Sequence, residues 1–142
     1  MERIFVLIGI INQLATTRMN RALNELDLPM AQFVLLTHLS HAPQKGWTVT
    51  HLANALEVNQ PAMTKTTQRL LKKGFLRMET DPSDKRLRVF FPTDEGLKSL
   101  NQAWEKLAPD LASLGELWQE DELSKLQGLL ERLKTQLDQS RD

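Results

Sequence analysis

The chain has 142 residues, of which 41% are hydrophobic and 25% charged, and its 18 acidic side chains balance its 18 basic ones. This length suits one domain, and such a composition is not that of a disordered chain. No cysteine is present, which excludes disulfides, thiol nucleophiles and cysteine-ligated zinc.

The first predicted element is one long helix over residues 2–26. Apolar residues recur there at spacings of three and four, at Ile4, Leu7, Ile8, Ile11, Leu14, Ala15, Met19, Leu23 and Leu26. The uninterrupted apolar run, residues 4–11, is far shorter than the ~20 residues that span a bilayer. No net positive charge precedes it and no cleavage site follows promptly, so we expect a cytoplasmic protein with no membrane partner.

The middle of the chain has the order of a helix-turn-helix. A second helix begins at Pro29 and ends near His41, and a third begins after the capping residue Thr48. A tight turn, in which Asn59 is the next capping residue, then leads to a fourth helix over residues 60–73, which Gly74 ends. Two short helices joined by such a turn, the second basic on its outer face, predict a helix-turn-helix.

After Gly74 the pattern changes to that of a β-hairpin. The strand-like runs are residues 75–79 and 87–91, and the polar turn 81–86 lies between them. A hairpin directly after a helix-turn-helix is a wing. Thr93 then caps a further helix, which we expect to kink or to start anew at Pro109.

The last part of the chain is predicted to be helical and rich in leucine. After the acidic start at residues 120–122, the final helix bears Leu123, Leu126, Leu130, Leu133 and Leu137 at nearly heptad spacing. Long leucine-faced helices at both chain ends predict a homodimer built from them. The alternative is that these helices pack on the body of their own chain.

The charges are unevenly distributed although they cancel overall. Residues 61–90 hold eight basic and three acidic side chains, whereas residues 91–142 hold six basic and eleven acidic ones. Because charges beyond ~8–10 Å are screened at physiological salt, the middle segment can bind a polyanion by itself. On charge alone, a merely solvated face explains this excess equally well.

Three short motifs at fixed order resemble those of the MarR family of bacterial transcription regulators. Residues 70–77 read as a Leu-x-x-x-Gly helix end, residues 81–86 as the wing motif Asp-x-x-Asp-x-Arg, and residues 93–96 as a Thr-x-x-Gly helix start. The Leu52-Ala53 pair matches the family upstream, and the likeness extends over essentially the whole chain. It implies a mainly α (α+β) fold, a winged helix-turn-helix with long N- and C-terminal dimerisation helices.

The resemblance implies that the fourth helix is a recognition helix for double-stranded DNA. Gln60 or Gln68 can pair with adenine and Lys65 with guanine. Ala62 can touch a thymine methyl group, and Thr64 can touch such a methyl group or a phosphate. Basic residues nearer the helix end are expected to neutralise phosphates. The predicted contact residues of this helix are Gln60, Pro61, Ala62, Thr64, Lys65, Gln68, Arg69, Lys72 and Lys73. For Arg69, a role in the fold is an equal alternative, and Thr66 stands where the family commonly has an apolar residue.

At the wing, the resemblance implies that Arg86 inserts into a narrow minor groove, whose negative potential attracts a guanidinium. Asp84 would hold Arg86 by an ion pair, and Asp81 would brace the hairpin by accepting backbone donors. Ordinary turn chemistry is the alternative for both acids, since Asp-Pro forms turns by itself. Lys85 and Arg88 are predicted phosphate contacts.

In the family, small aromatic or phenolic ligands often bind between the DNA-binding lobe and the dimer helices. The residues predicted to line such a cleft here are Phe33, Thr37, His38 and Trp104. His38 and His41 stand three apart on one helix, a spacing that can also bind a metal. Without cysteines or a nearby acidic partner we expect no metal and no cofactor.

We therefore expect a homodimeric regulator that binds a pseudo-palindromic operator, acts as a repressor and is released by a small aromatic ligand. Activation is the alternative to repression, because the mode depends on where the operator lies relative to the promoter. An enzyme is not expected, because no phosphate loop, paired carboxylates or catalytic triad stands at a suitable spacing. The alternative is a winged-helix module that binds protein and not DNA. The predicted division is an N-terminal dimerisation helix over residues 1–28, a DNA-binding region over 29–93 and dimerisation helices over 94–142, in one compact domain overall.

Overall fold

A computed structural model describes residues 1–140 as six helices and one hairpin. The helices are α1 (Glu2–Glu25), α2 (Met30–Ser40), α3 (Val49–Ala55), α4 (Gln60–Lys72), α5 (Asp94–Gly115) and α6 (Glu120–Gln139), and the strands are β1 (Leu76–Thr80) and β2 (Arg88–Pro92). The predicted mainly α winged-helix fold is thereby confirmed. No helix among the described residues is long and apolar enough to cross a membrane.

The helix boundaries follow the predicted caps. The side chain of Thr48 accepts from the backbone N–H of His51 at 3.2 Å, and that of Asn59 accepts from Ala62 at 2.8 Å. Both contacts satisfy N–H groups that a helix start leaves without intrahelical partners. Gly74 has a φ of 72°, the left-handed conformation expected of the residue that ends α4.

The strands are each displaced by one residue from the predicted runs. They pair antiparallel with Leu76 opposite Pro92 and Thr80 opposite Arg88. Outside these strands, Trp47 forms an isolated bridge to Phe90, with backbone hydrogen bonds of 2.9 and 3.2 Å. This bridge attaches the segment before α3 to the inner strand of the wing.

Thr93 joins the start of α5 to the end of α4. Its hydroxyl oxygen accepts from the backbone N–H of Gly96 at 3.1 Å, which confirms the predicted cap. The same hydroxyl donates to the carbonyl of Gly74 at 2.6 Å, and the Thr93 N–H donates to the carbonyl of Phe75 at 3.1 Å. One residue thus caps α5 and fixes the turn that follows α4.

The chain separates into two compact units, Met1–Lys106 and a second unit that begins at Leu107. The core of the first unit is built chiefly from leucines, and its most deeply buried side chains are Leu23, Leu28, Leu35, Leu36, Leu39, Leu52 and Leu70. Helix α5 continues through Pro109 to Gly115, so of the two alternatives expected at that proline, a kink or a new start, the new start is wrong.

Much of the apolar surface of α1 is exposed in the single chain. The exposed residues are Ile4, Phe5, Val6, Leu7, Ile10, Ile11 and Leu14. Around the first two turns they point in every direction, since Phe5 and Val6 lie off the predicted stripe. A helix that is apolar all round is normally buried on all sides.

Candidate nucleic-acid interface

Helix α4 presents one face to the core and the other to solvent. Met63, Thr67 and Leu70 are buried, at the spacing of three and four that puts residues on one side of a helix. The exposed residues are Gln60, Pro61, Ala62, Thr64, Lys65, Gln68, Arg69 and Lys72. The structure therefore brings eight of the nine predicted contact residues of this helix to one outward surface.

Gln60, the first residue of α4, is held toward α3. Its side-chain amide donates to the hydroxyl of Thr50 at 3.1 Å. Both residues are exposed, so this hydrogen bond lies on the surface where the two helices of the motif meet. Sequence reasoning did not single out Thr50, which is ten positions away along the chain.

The hydroxyl groups of two threonines on α4 donate hydrogen bonds to backbone carbonyls of the same helix. Thr66, which departs from the family pattern, donates to the carbonyl of Ala62 at 3.0 Å. The hydroxyl of buried Thr67 lies 3.1 Å from the carbonyl of Met63 and 2.9 Å from that of Thr64. Because such bonds satisfy a polar side chain locally, neither threonine needs a partner from another element.

Lys73 differs from the other predicted contacts, because its ammonium group faces the junction between α1 and α2. The Nζ atom lies 3.1 Å from Oδ2 of Asp27 and 3.0 Å from Oε1 of Gln32, and it also donates to the backbone carbonyl of Asp27. These partners stand 46 and 41 positions away in sequence, and no local pattern indicates them.

At the wing, Asp81 organises the turn. Its Oδ1 accepts from the Ser83 N–H at 2.8 Å, from the Ser83 hydroxyl at 2.5 Å and from the Asp84 N–H at 3.1 Å. These hydrogen bonds, the one from the Ser83 hydroxyl above all, lower the pKa of Asp81 below the ordinary aspartate value of 3.8. The position of Asp81 matches the bracing expected of it and ordinary turn chemistry alike.

Asp84 holds Arg86 at the tip of the wing. Its Oδ1 accepts from the Arg86 backbone N–H at 2.9 Å and from the guanidinium Nε at 3.3 Å, while Oδ2 lies 3.4 Å from Nη2. The Arg86 side chain is nevertheless 91% exposed. The ion pair therefore orients the guanidinium without removing it from solvent.

The remaining basic residues of the wing differ in how firmly they are held. Lys85 is exposed at the tip, and Arg88 donates from Nη1 to the hydroxyl of Thr80 on the opposite strand at 2.5 Å. Sequence reasoning missed Arg77 on β1, whose guanidinium lies 4.2 Å from the ring centre of Phe91 and pairs with Glu79. The signal that could have indicated this contact is the antiparallel pairing of the two strand-like runs, which places Arg77 directly opposite Phe91.

A second site, a cleft of about 260 Å³, lies in the first compact unit. Its walls contain all four predicted ligand-lining residues, Phe33, Thr37, His38 and Trp104, together with Val34, His41 and Leu56. The rings of Phe33 and Trp104 are 5.0 Å apart, and Trp104 is 40% exposed. The cleft is thus mainly apolar, with two imidazoles and one hydroxyl.

Beside this cleft, the His38 ring packs edge-on against Trp47 at 4.9 Å, and the ammonium of Lys45 lies 3.8 Å from the centre of the indole. The Nε2 atom of His38 and the indole N–H of Trp47 are buried without a hydrogen-bond partner among the described residues. Burial foremost, and then the charges of His41 and Lys45, lower the pKa of His38 below 6.5.

Known proteins resemble this chain in sequence. A sequence model of the MarR family matches residues 28–87. The multiple antibiotic resistance protein MarR of Salmonella typhimurium is 30% identical over 128 residues, which cover 89% of this chain and 88% of that protein. The HTH-type transcriptional regulator YdcH of Bacillus subtilis is 34% identical over 88 residues, and the matched part spans only 60% of YdcH.

Solved structures give the same result. A crystal structure of a MarR mutant from E. coli in complex with operator DNA has a TM-score of 0.76 and 29% sequence identity to this chain. The match covers 92% of this chain and 93% of that one.

Proposed function

The chain belongs to the MarR family and is a transcriptional regulator of that family, and on this premise we propose that it binds double-stranded operator DNA as a homodimer. The observation that carries the proposal is the wing tip. Arg86 is 91% exposed, yet Asp84 holds both its backbone and its guanidinium. An arginine presented in this way suits insertion into a narrow minor groove.

Helix α4 supplies the second part of the proposed interface. Its exposed glutamines, threonine and lysine are suited to base edges in the major groove, while Arg69 and Lys72 are suited to phosphates. At the wing, Lys85 and Arg88 would add phosphate contacts. The relative crystallised with operator DNA supports this assignment by its likeness over 92% of the chain.

The proposed dimer rests on exposed apolar surface. The first two turns of α1 expose apolar residues on all sides, and α6 exposes Leu123, Leu126, Leu129, Leu130 and Leu137. Apolar faces this large are normally covered by another protein surface, and a second copy of the chain supplies matching faces. We propose that the division at residues 28 and 93 separates these dimer elements from the DNA-binding region.

We further propose that the cleft beside Trp104 binds a small aromatic effector. Its volume of about 260 Å³ is below the ~300–1,000 Å³ of drug-sized sites, so a single-ring compound suits it best. We propose repression as the mode of regulation, which requires that the operator overlap a promoter so that the bound dimer excludes polymerase. Such an effector would change the spacing or angle of the two DNA-binding lobes of the dimer. It would release DNA only as far as it binds this second arrangement more tightly than the DNA-binding one.

Selection of bound fragments from random DNA by the purified protein tests this function. We expect a pseudo-palindromic consensus whose half-sites lie about 34–36 Å apart, one turn of the duplex. Binding should weaken with salt, with a log–log slope of about −0.9 for each phosphate neutralised. Failure to enrich any sequence, with no salt-dependent binding, would favour the protein-interaction module instead.

A further inference from the structure

The ammonium group of Lys73 is fully engaged within the chain. An ammonium has three N–H donors, and Lys73 has three acceptors around it: the carbonyl of Asp27, a carboxylate oxygen of Asp27 at 3.1 Å and the amide oxygen of Gln32 at 3.0 Å. Its side chain is 24% exposed, whereas its neighbour Lys72 is an exposed residue. No donor of Lys73 is therefore left for a phosphate oxygen.

The acceptors need Lys73 as well. Gln32 is 3% exposed, and its amide oxygen would lose this donor in an environment where unpaired polar atoms are costly. Asp27 has a φ of 49°, the left-handed conformation, at the point where the chain leaves α1. Its carbonyl at this turn accepts a hydrogen bond from the lysine.

The contact joins two elements with different proposed tasks. Lys73 directly follows the last residue of α4, and Asp27 lies two residues beyond the end of α1. On its other side, the turn after α4 is held by Thr93, through the carbonyls of Gly74 and Phe75. The end of the recognition helix is thus fixed between the exit of α1 and the start of α5.

We propose that Lys73 is a positioning residue, which fixes the tilt of α4 relative to α1 through Asp27 and Gln32, and not a phosphate contact. The inference rests on the proposed function, because it concerns how that helix meets DNA. A dimer reads an operator only if both recognition helices reach successive major grooves together. A less firmly held α4 would therefore lose specific binding, while non-specific attraction to phosphates persists.

The experiment compares Lys73→Met with Lys72→Met, which remove the same charge from adjacent positions. Fluorescence anisotropy would measure affinity for the selected operator and for an unrelated duplex over a range of salt. We expect Lys72→Met to weaken both and to reduce the magnitude of the salt slope by about 1.8, since each dimer loses two phosphate contacts. Lys73→Met should leave the slope and the non-specific affinity unchanged and weaken operator binding by about fivefold or more.

Asp27→Asn provides a test that does not alter the lysine. Asp27 has a 90% exposed side chain, and asparagine tolerates a left-handed φ, so this variant should fold. Removing a negative charge should raise or preserve DNA affinity if Lys73 only contacts phosphate. If Lys73 positions α4, Asp27→Asn should lower operator affinity and leave non-specific affinity unchanged.

The outcomes separate this inference from the function on which it rests. A wild-type protein that selects no operator overturns both. A wild-type protein that binds its operator, with Lys73→Met behaving as Lys72→Met does, overturns the positioning role alone. Should Lys73→Met fail to fold by circular dichroism, the sign of the Asp27→Asn effect on operator affinity decides.

Discussion

Gly96 on α5 leaves no room for a side chain beside the backbone of Phe75. A Cβ at Gly96 would lie 3.0 Å from the carbonyl carbon of Phe75 and would collide with its oxygen. The close approach is what allows Thr93 to bond both Gly74 and Phe75. The glycine of the Thr-x-x-Gly motif is therefore required by packing between the end of α4 and the start of α5.

Gly96→Ala is expected to destabilise the protein by about 1–3 kcal/mol, because backbone atoms must move to admit the methyl group. Urea denaturation followed by circular dichroism measures this change. Gly128→Ala is the matched control, since nothing lies within 4 Å of a Cβ there and alanine favours helix. Equal stability of the two variants would contradict the close approach.

Arg86→Ala is expected to weaken operator binding by about 1–3 kcal/mol for each half-site, as the proposed minor-groove contact is lost. Asp84→Asn should weaken it less, because the guanidinium remains but loses its ion pair at 3.3 Å. Lys85→Ala is the control for charge alone at the same tip. Mobility-shift titrations with the selected operator give all three affinities, and an Arg86→Ala affinity equal to wild type would refute the wing assignment.

Leu126→Glu is expected to produce monomers, since it places a charge on the exposed apolar face of α6. Ser124→Glu adds the same charge away from that face and should remain dimeric. Deletion of residues 120–142 should give monomers or insoluble protein. Sedimentation velocity measures each state, and a stable dimer of the deletion variant would overturn the interface.

The stability of the protein should decrease as the pH falls below about 6.5. The pKa of His38 is lowered in the folded state, so the unfolded chain binds more protons between that lowered value and 6.5. Stability therefore rises with pH through this window and levels off above it. Three other side chains lie near the imidazole ring of His38: those of His41, Lys45 and Trp47.

Thermal unfolding at pH 7.5 and pH 5.0 checks the expectation. The difference between the two melting temperatures should be smaller in His38→Gln than in wild type, because glutamine does not titrate. His51→Gln, at an exposed position on α3, is the control and should retain the wild-type difference. The same pH dependence in wild type and His38→Gln would assign the loss to other groups.

The elements could be predicted from the sequence because their signals are local. The caps at Thr48, Asn59 and Thr93 and the left-handed Gly74 each depend on residues within one turn. The exposed face of α4 follows in the same way from helical spacing. What could not be predicted is that the ammonium group of Lys73 binds other residues of its own chain and does not lie on that face. Its partners are 41 and 46 positions away.

The residues of the cleft could be predicted only in part from the sequence pattern. Phe33, Thr37 and His38 share one side of α2 by their spacing, but Trp104 reaches them from α5, 71 positions beyond Phe33. Only the family resemblance indicated that these four residues belong together. The buried, unpartnered nitrogens of His38 and Trp47 have no counterpart in the sequence pattern.

The all-round apolar start of α1 has a consequence for a newly synthesised copy of the chain. If a second copy covers this surface, as proposed, an unpaired chain exposes apolar side chains to chaperones and proteases, and its lifetime depends on how soon it meets another copy. The rate of pairing depends on the square of the monomer concentration. At low concentration a larger fraction of the chains is therefore unpaired. Cells that make little of this protein would then keep disproportionately little of it intact.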